Sequence, residues 1–287
     1  MDLDYCLSEL KALLAIDSPS GFTDKAADHL MQALESLGYR PEKTRKGGVL
    51  CCLGGEGDGL LLMAHVDTLG GIVSSIKPNG RLQISPVGGL RAENCEAENC
   101  RIYSRFSGTY TGTLQIVNAS VHVNDDYAGA KRTFRDSEIV IDENVRTADA
   151  VRALGIAPGD FVCFDPRTRV TEKGCIKSRF LDDKLSVGIL LGLAKFMKDK
   201  DLTPRRRVYA HVTVYEEVGH GGAASVPQGV TEAISVDMGC VGDGVTCTEH
   251  EVSICAKDSG GPYDYSVTTA LVQAARQAGA QYAVDVY

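Results

Sequence analysis

The sequence predicts an α/β fold, in which a mixed sheet flanked by helices carries an inserted β-rich, barrel-like subdomain. Apolar stripes with helical spacing and long apolar runs occur near both ends of the 287-residue chain, whereas its middle third contains short β-like runs. With 44% hydrophobic residues, the chain can bury the core of a large domain that contains an insertion. We expect a discontinuous main domain over residues 1–71 and 165–287, and an inserted domain over residues 72–164.

The N-terminal segment is predicted to form two helices followed by two strands. The clearer helix covers residues 23–38, with Thr23 as N-cap and Gly38 as C-cap. Its apolar side chains recur on one face, at Ala27, Leu30, Met31, Leu34 and Leu37. The runs VLCCL and LLLMAHVD indicate strands, and the continuously apolar second run predicts a central strand that is buried on both faces.

The middle and the C-terminal part differ in their patterns. Asn79-Gly80 lies between two β-like runs and predicts a hairpin. Further strands are expected at 108–117 and 137–143, with one short helix at 147–155. The α/β pattern then resumes, and the expected elements are a helix at 182–199, strands at 206–217 and 232–239, a helix at 265–279 and a strand at 282–287.

Composition excludes several classes of function. The net charge of −8 argues against nucleic acid or an anionic membrane surface as the main partner. No apolar run reaches the roughly 18 residues that a membrane span requires. The ten cysteines contain no CxxC pair and follow no secretory signal, which predicts free thiols in the cytoplasm and disfavours an all-cysteine zinc site.

His65 and Asp67 close the predicted central strand. Residues two apart in a strand point to the same side, so His65 can bind a metal while Asp67 accepts a hydrogen bond from its other ring nitrogen. Taken alone, the pair is better explained as a strand-end histidine beside a turn aspartate.

Three acidic motifs follow at other element ends. Asp182-Asp183 opens the long helix, where the helix dipole stabilises an anion. Glu216-Glu217 follows a buried strand and precedes glycines that permit a bend, and like charges this close favour a shared cation or proton. Asp237 follows another strand. Helix capping, a solvated loop and a turn are the respective alternatives for each motif alone.

In combination, His-x-Asp, Asp-Asp, Glu-Glu and a strand-end Asp form the ordered signature of co-catalytic zinc exopeptidases. Strand ends are also where α/β sheets place their sites. The chain resembles the tetrahedral aminopeptidase family, which includes glutamyl and deblocking aminopeptidases. The matching blocks are AHVDTLGGIV, PVGG, SRFLDDKLSVG, VTVYEEVGHGGA and SVDMG, and they span essentially the whole sequence.

The resemblance implies two divalent metal ions per subunit, most simply zinc, with cobalt or manganese as alternatives. Asp182 would bridge the two ions. His65 and Asp237 would complete one metal site, and Glu217 would be a ligand of the other.

The resemblance also implies the reaction, which is hydrolysis of the N-terminal peptide bond by a metal-activated water. Glu216 would be the general base, and Asp67 would orient His65. A metal-dependent deacylase on the same scaffold is the alternative enzyme. Peptides are the expected substrates, and the insertion would mediate homo-oligomerisation, with a dodecamer as the common family form.

Two departures from the family pattern stand out. The family has a final histidine ligand near its C-terminus, whereas this sequence ends at Tyr287, on a strand that would precede it. We expect that the sequence is a truncated product of a longer gene; the alternative is a divergent, catalytically weakened assembly protein. The second departure is Lys184, where the family often has arginine. His122, His220 and His250 receive no role.

Overall fold

The computed structural model describes residues 1–287, and its helices and strands follow the predicted alternation of types. The helices are α1 (Leu3–Leu14), α2 (Asp24–Ser36), α3 (Ala148–Ala153), α4 (Leu181–Asp199) and α5 (Tyr265–Ala278). The strands are β1 (Glu42–Lys43), β2 (Val49–Gly54), β3 (Glu56–His65), β4 (Gly70–Ile76), β5 (Leu82–Val87), β6 (Asn99–Ser104), β7 (Gly108–Ile116), β8 (Ser137–Ile141), β9 (Phe161–Phe164), β10 (Arg169–Val170), β11 (Ile176–Lys177), β12 (Arg206–Thr213), β13 (Val230–Ser235), β14 (Val252–Asp258), β15 (Gly261–Pro262) and β16 (Tyr282–Val286). The chain divides into two units, 1–236 and 237–287.

The first unit contains a five-stranded mixed sheet in the order β1-β2-β12-β3-β13. Strands β12 and β13 both run parallel to β3, so their carboxyl ends lie along one edge of the sheet. As the apolar run predicts, β3 lies between two parallel neighbours, and Leu61 in it is fully buried. The sheet therefore brings the residues after His65 and after Thr213 to the same edge.

Helices cover this sheet with the apolar faces that the sequence predicts. In α2, Ala27, Leu30 and Leu34 are buried and belong to the same core cluster as Val49 of β2 and Val212 of β12. Burial of these side chains is the main source of stability for the layer, at about 25 cal/mol per Å² of apolar surface.

The inserted segment forms a closed six-stranded barrel in the order β4-β5-β8-β7-β6-β9. Strand β9 pairs with β4 and closes the barrel, with Gly71 opposite Val162. The Asn79-Gly80 hairpin joins β4 to β5 as expected, and Gly80 has a φ of 79°, which glycine adopts without strain. The barrel confirms the predicted fold class. The exact domain boundaries and the role of the barrel in oligomerisation stay predictions.

An ion-pair cluster joins the barrel to the loop that follows α1. The Asp17 carboxylate accepts hydrogen bonds from Arg101 Nε at 2.5 Å and from Arg101 Nη2 at 2.7 Å. It also accepts one from the Tyr103 hydroxyl at 2.7 Å. A bidentate arginine–carboxylate pair fixes orientation as well as distance, so it holds this part of the barrel against the sheet domain.

The second unit is a β-α-β arrangement. Strands β14 and β16 are parallel, and α5 connects them. Asp285, which is only 2% exposed, accepts hydrogen bonds from the Thr246 backbone N–H at 2.8 Å and from the Ser253 hydroxyl at 2.8 Å. These bonds satisfy a carboxylate that would otherwise be costly to bury. No helix in the protein combines the length and the apolar character that crossing a bilayer would require.

Three local expectations need correction. The strand predicted at 206–217 ends at Thr213, and Glu216–Val218 form a 3-10 turn instead. Gly219, which ends this turn, adopts a φ of 85°, a conformation that glycine accepts without strain. The helix predicted from residue 182 is not yet helical at Asp182 or Asp183, which are joined by a cis peptide bond. Strands β6, β9 and β14 and the two-residue strands β1, β10, β11 and β15 were not predicted, since their apolar runs are short.

Candidate active site

The imidazole of His65 is the centre of the polar cluster at the sheet edge. His65 ends β3 and is 2% exposed. Its Nδ1 lies 2.9 Å from the backbone carbonyl oxygen of Asp67. Because a carbonyl oxygen only accepts hydrogen bonds, Nδ1 carries the hydrogen, and Nε2 is left to face the cluster. Nε2 lies 3.1 Å from Asp182 Oδ1 and 3.6 Å from Glu216 Oε2.

The surroundings of His65 strongly favour a positive charge at Nε2. Burial lowers the pKa of His65, but hydrogen bonds to Asp182 and Asp67 and the nearby negative charges outweigh it and raise the pKa to about 11. The imidazole therefore faces carboxylates that require either a proton or a metal cation between them and the ring. Imidazole nitrogen and carboxylate oxygen are the ligand types that zinc accepts.

The Asp67 carboxylate is completely buried and has three kinds of partner. Its Oδ1 lies 3.5 Å from His65 Nδ1 and accepts a hydrogen bond from the Glu216 backbone N–H at 3.1 Å. Its Oδ2 accepts from the Ser20 hydroxyl at 2.5 Å and from the Glu217 backbone N–H at 3.3 Å. Asp67 therefore contacts His65 mainly through its backbone, while its carboxylate holds the turn that carries the two glutamates.

Asp182 and Asp183 face different surroundings although they are adjacent. The Asp182 side chain is 47% exposed and is directed at His65 Nε2. Asp183 is 1% exposed, and its Oδ2 accepts a hydrogen bond from the His65 backbone N–H at 3.1 Å. The departure from helical dihedrals at both residues separates the two side chains in this way. Asp182 is thus available as a ligand, whereas Asp183 fixes the end of β3.

Glu216 and Glu217 also differ. The Glu216 side chain is 52% exposed. Glu217 is partly buried, and burial raises its pKa to about 7, with a further increase from the Asp182 charge and a smaller decrease from His65. A carboxyl that is costly to ionise in this position is stabilised as the anion by a bound cation. The imidazole of His65 and the carboxylates of Asp182 and Glu217 are therefore suited to bind a divalent metal.

Asp237 is the first residue of the second unit. Val236, which precedes it, donates its backbone N–H to the Met63 carbonyl at 2.7 Å, so the chain is held at β3 one residue earlier. The Met238 backbone N–H donates to Asp237 Oδ1 at 2.6 Å. The role of Asp237 as a metal ligand stays a prediction.

The remaining histidines lie outside this cluster. His29 Nε2 is 2.9 Å from Glu9 Oε2. His211 is buried within β12, whereas His122 and His250 are exposed in loops. His220 stacks on Tyr215, with ring centroids 4.9 Å apart.

Sequence reasoning missed three residues that support the site. Ser20 belongs to the turn-forming run Ser-Pro-Ser-Gly, which signalled a loop but no partner for Asp67. Lys184, which received no role, is 1% exposed and donates to the carbonyls of Leu13 at 2.9 Å and Ile16 at 2.6 Å. Gly88 of the PVGG block lies against Glu217, since a Cβ there would be 3.0 Å from the Glu217 carbonyl oxygen.

Comparison with known proteins shows the family of the chain by its sequence. Residues 47–287 match the family described as M42 glutamyl aminopeptidase. The putative aminopeptidase YhfE of Bacillus subtilis (strain 168) is 39% identical over 280 residues, which cover 97% of this chain and 81% of that protein. The glutamyl aminopeptidase of Lactococcus lactis subsp. cremoris (strain MG1363) is 28% identical over 222 residues, which cover 75% of this chain and 61% of that protein.

Solved structures show the same fold. The TET aminopeptidase from the marine sediment archaeon Thaumarchaeota archaeon SCGC AB-539-E09 superposes with a TM-score of 0.89 at 21% identity, and the match covers 100% of this chain and 82% of that one. The TET1 peptidase of Pyrococcus horikoshii gives a TM-score of 0.85 at 21% identity, covering 98% and 85% of the two chains. On the sequence match over residues 47–287, this chain belongs to the M42 glutamyl aminopeptidase family.

Proposed function

We propose that this protein hydrolyses the N-terminal peptide bond of peptides, with Glu216 as the general base beside a metal centre that includes His65. Membership of the family makes the chain a metal-dependent aminopeptidase, a hydrolase acting on peptide bonds. The observation that carries the assignment of residues is the buried His65 Nε2, which faces Asp182 Oδ1 at 3.1 Å and Glu216 Oε2 at 3.6 Å.

His65, Asp182 and Glu217 would hold the metal, and Asp237 keeps the ligand role that the family resemblance implies. Zinc suits a mixed histidine and carboxylate set, and cobalt and manganese are the alternatives. The proposed content is two ions per subunit. When bound, a divalent ion lowers the pKa of a water molecule, which supplies a nucleophile at neutral pH. It also polarises the carbonyl group that is attacked.

Glu216 suits the role of proton carrier. Its side chain is about half exposed, so it can reach both a water and a substrate, unlike the buried carboxylates of Asp67 and Asp183. Its backbone is fixed by the hydrogen bond to Asp67, so the carboxylate stays close to His65. Glu216 would accept the proton of the attacking water and then donate it to the leaving amine.

Peptides are the proposed substrates, and a homo-oligomer in the cytoplasm is the proposed working form. One solved relative is described as a dodecamer, and the Pyrococcus horikoshii TET1 peptidase as assembling into a tetrahedron or a large octahedral shell. By analogy with them, the barrel strands β4–β9 are proposed to form contacts between subunits. Sedimentation of the purified protein tests this part independently of activity.

The decisive experiment combines metal analysis with a substrate panel. The purified protein is stripped with a chelator, reloaded with zinc, cobalt or manganese, and tested on aminoacyl-anilides and on the matching N-acyl amino acids. We expect about two metal ions per chain and chelator-sensitive release of the anilide. Cleavage of the N-acyl amino acids alone would identify a deacylase, and no turnover with any metal would contradict the proposal.

A further inference from the structure

Lys46, which is distant in sequence, forms hydrogen bonds to the loop that follows Glu216 and Glu217. It lies in the turn between β1 and β2, where Thr44 N–H donates to the Gly48 carbonyl at 2.7 Å. Its ammonium group donates to the backbone carbonyls of His220 and Gly221, the second at 3.2 Å. It also lies 3.1 Å from Nδ1 of His220. One flexible side chain therefore contacts three acceptors in two consecutive residues.

The turn that carries Lys46 is itself fixed. A Cβ on Gly48 would lie only 2.6 Å from the Val212 carbonyl oxygen, so the turn lies directly against the backbone of β12. A glycine is required for such a close approach. The base of the Lys46 side chain is thus anchored to the strand that leads into Glu216.

Two rings complete the contact. Tyr215 and His220 are stacked, with an interplanar angle of 19°, and the His220 backbone N–H donates to the Tyr215 carbonyl at 3.2 Å. The Lys46 ammonium lies 5.6 Å from the centre of the Tyr215 ring, within range of a cation–π attraction. Because an ammonium group only donates, Nδ1 of His220 is the acceptor. We call Lys46, Tyr215 and His220 the lysine clamp.

The loop residues that Lys46 holds, His220 and Gly221, lie against the backbone of Glu216. A Cβ on Gly221 would lie 3.0 Å from the Glu216 Cα, so the two backbones are in direct contact. The Gly219 backbone N–H donates to the Glu216 carbonyl at 2.7 Å. Asp67 holds the same residue from the buried side, through the Glu216 backbone N–H. Movement of residues 220–221 would therefore displace the backbone of Glu216.

We propose that Lys46 is a positioning residue for Glu216, which acts by fixing the returning loop through the lysine clamp. This inference rests on the proposed function of Glu216 as the base. A general base must stay within hydrogen-bond reach of the proton it accepts, and a small displacement reduces the rate strongly. Lys46 thus contributes to turnover rather than to the binding of substrate.

The test uses three variants in the full-length, metal-loaded protein. Lys46→Met removes the charge and keeps most of the side-chain length, Lys46→Arg restores the charge, and Arg45→Met is the matched control at the exposed neighbouring position. For Lys46→Met we expect kcat to fall about tenfold with KM changed less than about twofold. Lys46→Arg should recover most of that loss, and Arg45→Met should match the wild type.

Hydrogen exchange by mass spectrometry supplies a readout that does not depend on activity. Peptides covering residues 216–222 should exchange faster in Lys46→Met than in Arg45→Met, while peptides from the barrel stay unchanged. Equal exchange in the two variants, or a wild-type kcat in Lys46→Met, would overturn the inference. If the wild type cleaves no peptide, the function proposed above fails, and the exchange comparison alone decides whether the lysine clamp exists.

Discussion

The buried Oδ1 of Asp67 accepts a hydrogen bond from the backbone N–H of Glu216 across 3.1 Å. The same carboxylate accepts from the backbone N–H of Glu217 and from the hydroxyl of Ser20. One side chain therefore ties the end of β3 to the 3-10 turn and to the N-terminal loop. Besides its contact with the His65 ring, the Asp67 carboxylate fixes the positions of Glu216 and Glu217 through their backbone N–H groups.

Asp67→Asn should damage both stability and activity. The amide keeps the shape but replaces one acceptor oxygen with a donor, so at least one buried N–H or hydroxyl loses its acceptor. Such a loss costs about 1–3 kcal/mol, and more where a charge was involved. Urea unfolding should show a loss of at least this size, together with a lower kcat.

Ser20→Ala is the control for this substitution, because it removes one donor and leaves the other bonds of Asp67 intact. We expect a smaller loss of stability and a nearly normal kcat. If Asp67→Asn is no worse than Ser20→Ala, the carboxylate does not hold the turn.

Glu216→Gln and Glu217→Gln should separate the base from the ligand. Glu216→Gln removes the proton acceptor and should lower kcat by about 10²–10⁴ with little change in metal content. Glu217→Gln removes a negatively charged ligand and should lower the metal content of the purified protein. Atomic emission analysis and steady-state kinetics measure both effects. The reverse result would exchange the two roles.

Gly88→Ala, directly after β5, should lower stability and weaken metal binding. Gly88 has a φ of +68°, and an added Cβ would lie 2.7 Å from Leu69 Cδ2 and 3.0 Å from the Glu217 carbonyl oxygen. An alanine in this backbone conformation is strained by about 1–3 kcal/mol. Its Cβ would also displace the backbone of Glu217. We expect a lower unfolding midpoint and weaker metal binding. Gly89→Ala is the matched control, since a Cβ there meets no atom within 4 Å.

Lys184→Met should destabilise the protein more than a lysine change elsewhere on the same helix. The Lys184 ammonium is buried and bonds two carbonyls at the end of α1, which the methionine would leave without a donor. A loss of about 2–4 kcal/mol is expected in urea unfolding. Lys195→Met removes ion pairs to Asp2 and Asp199 and a contact with the Tyr5 ring, and such solvent-exposed pairs contribute little to stability. Equal losses would contradict a structural role for Lys184.

His211 should make stability depend on pH. Burial, helped by the charge of Lys46, lowers the pKa of His211 to about 4, from 6.5. The folded state then binds fewer protons than the unfolded state between these values, so stability is complete above pH 6.5 and falls as the pH drops towards 4. The loss amounts to about 3 kcal/mol at most.

His211→Phe should remove this part of the pH dependence, because phenylalanine has no ionisable group. Urea unfolding of the metal-free protein at pH 7 and pH 4.5 measures the difference. His211 Nδ1 is buried and has no hydrogen-bond partner in the protein, so replacing the imidazole by a phenyl ring breaks no hydrogen bond of that atom. The substitution should therefore change the free energy of unfolding little at pH 7. The same stability loss in both proteins between these pH values would exclude His211 as the source.

The sequence by itself determined most of the helices, the central strand and the family. The periods of apolar residues located the α2, α4 and α5 helices and the buried β3 strand, because burial on one face or on both leaves a local pattern. The order of His65, Asp182, Glu216 and Glu217 at element ends predicted the family, and the match over residues 47–287 confirms it.

Only the tertiary structure decided how those residues divide the work. The Asp67 carboxylate finds its donors in residues 47 to 150 positions away, and Lys46 reaches carbonyls 174 and 175 positions away. Separating Asp182 from Asp183 and ending β12 before Glu216 likewise depended on the fold. Such contacts leave no periodic signal in the sequence, because a hydrogen bond between distant residues is fixed by the packing of whole elements and by the need to satisfy buried polar groups.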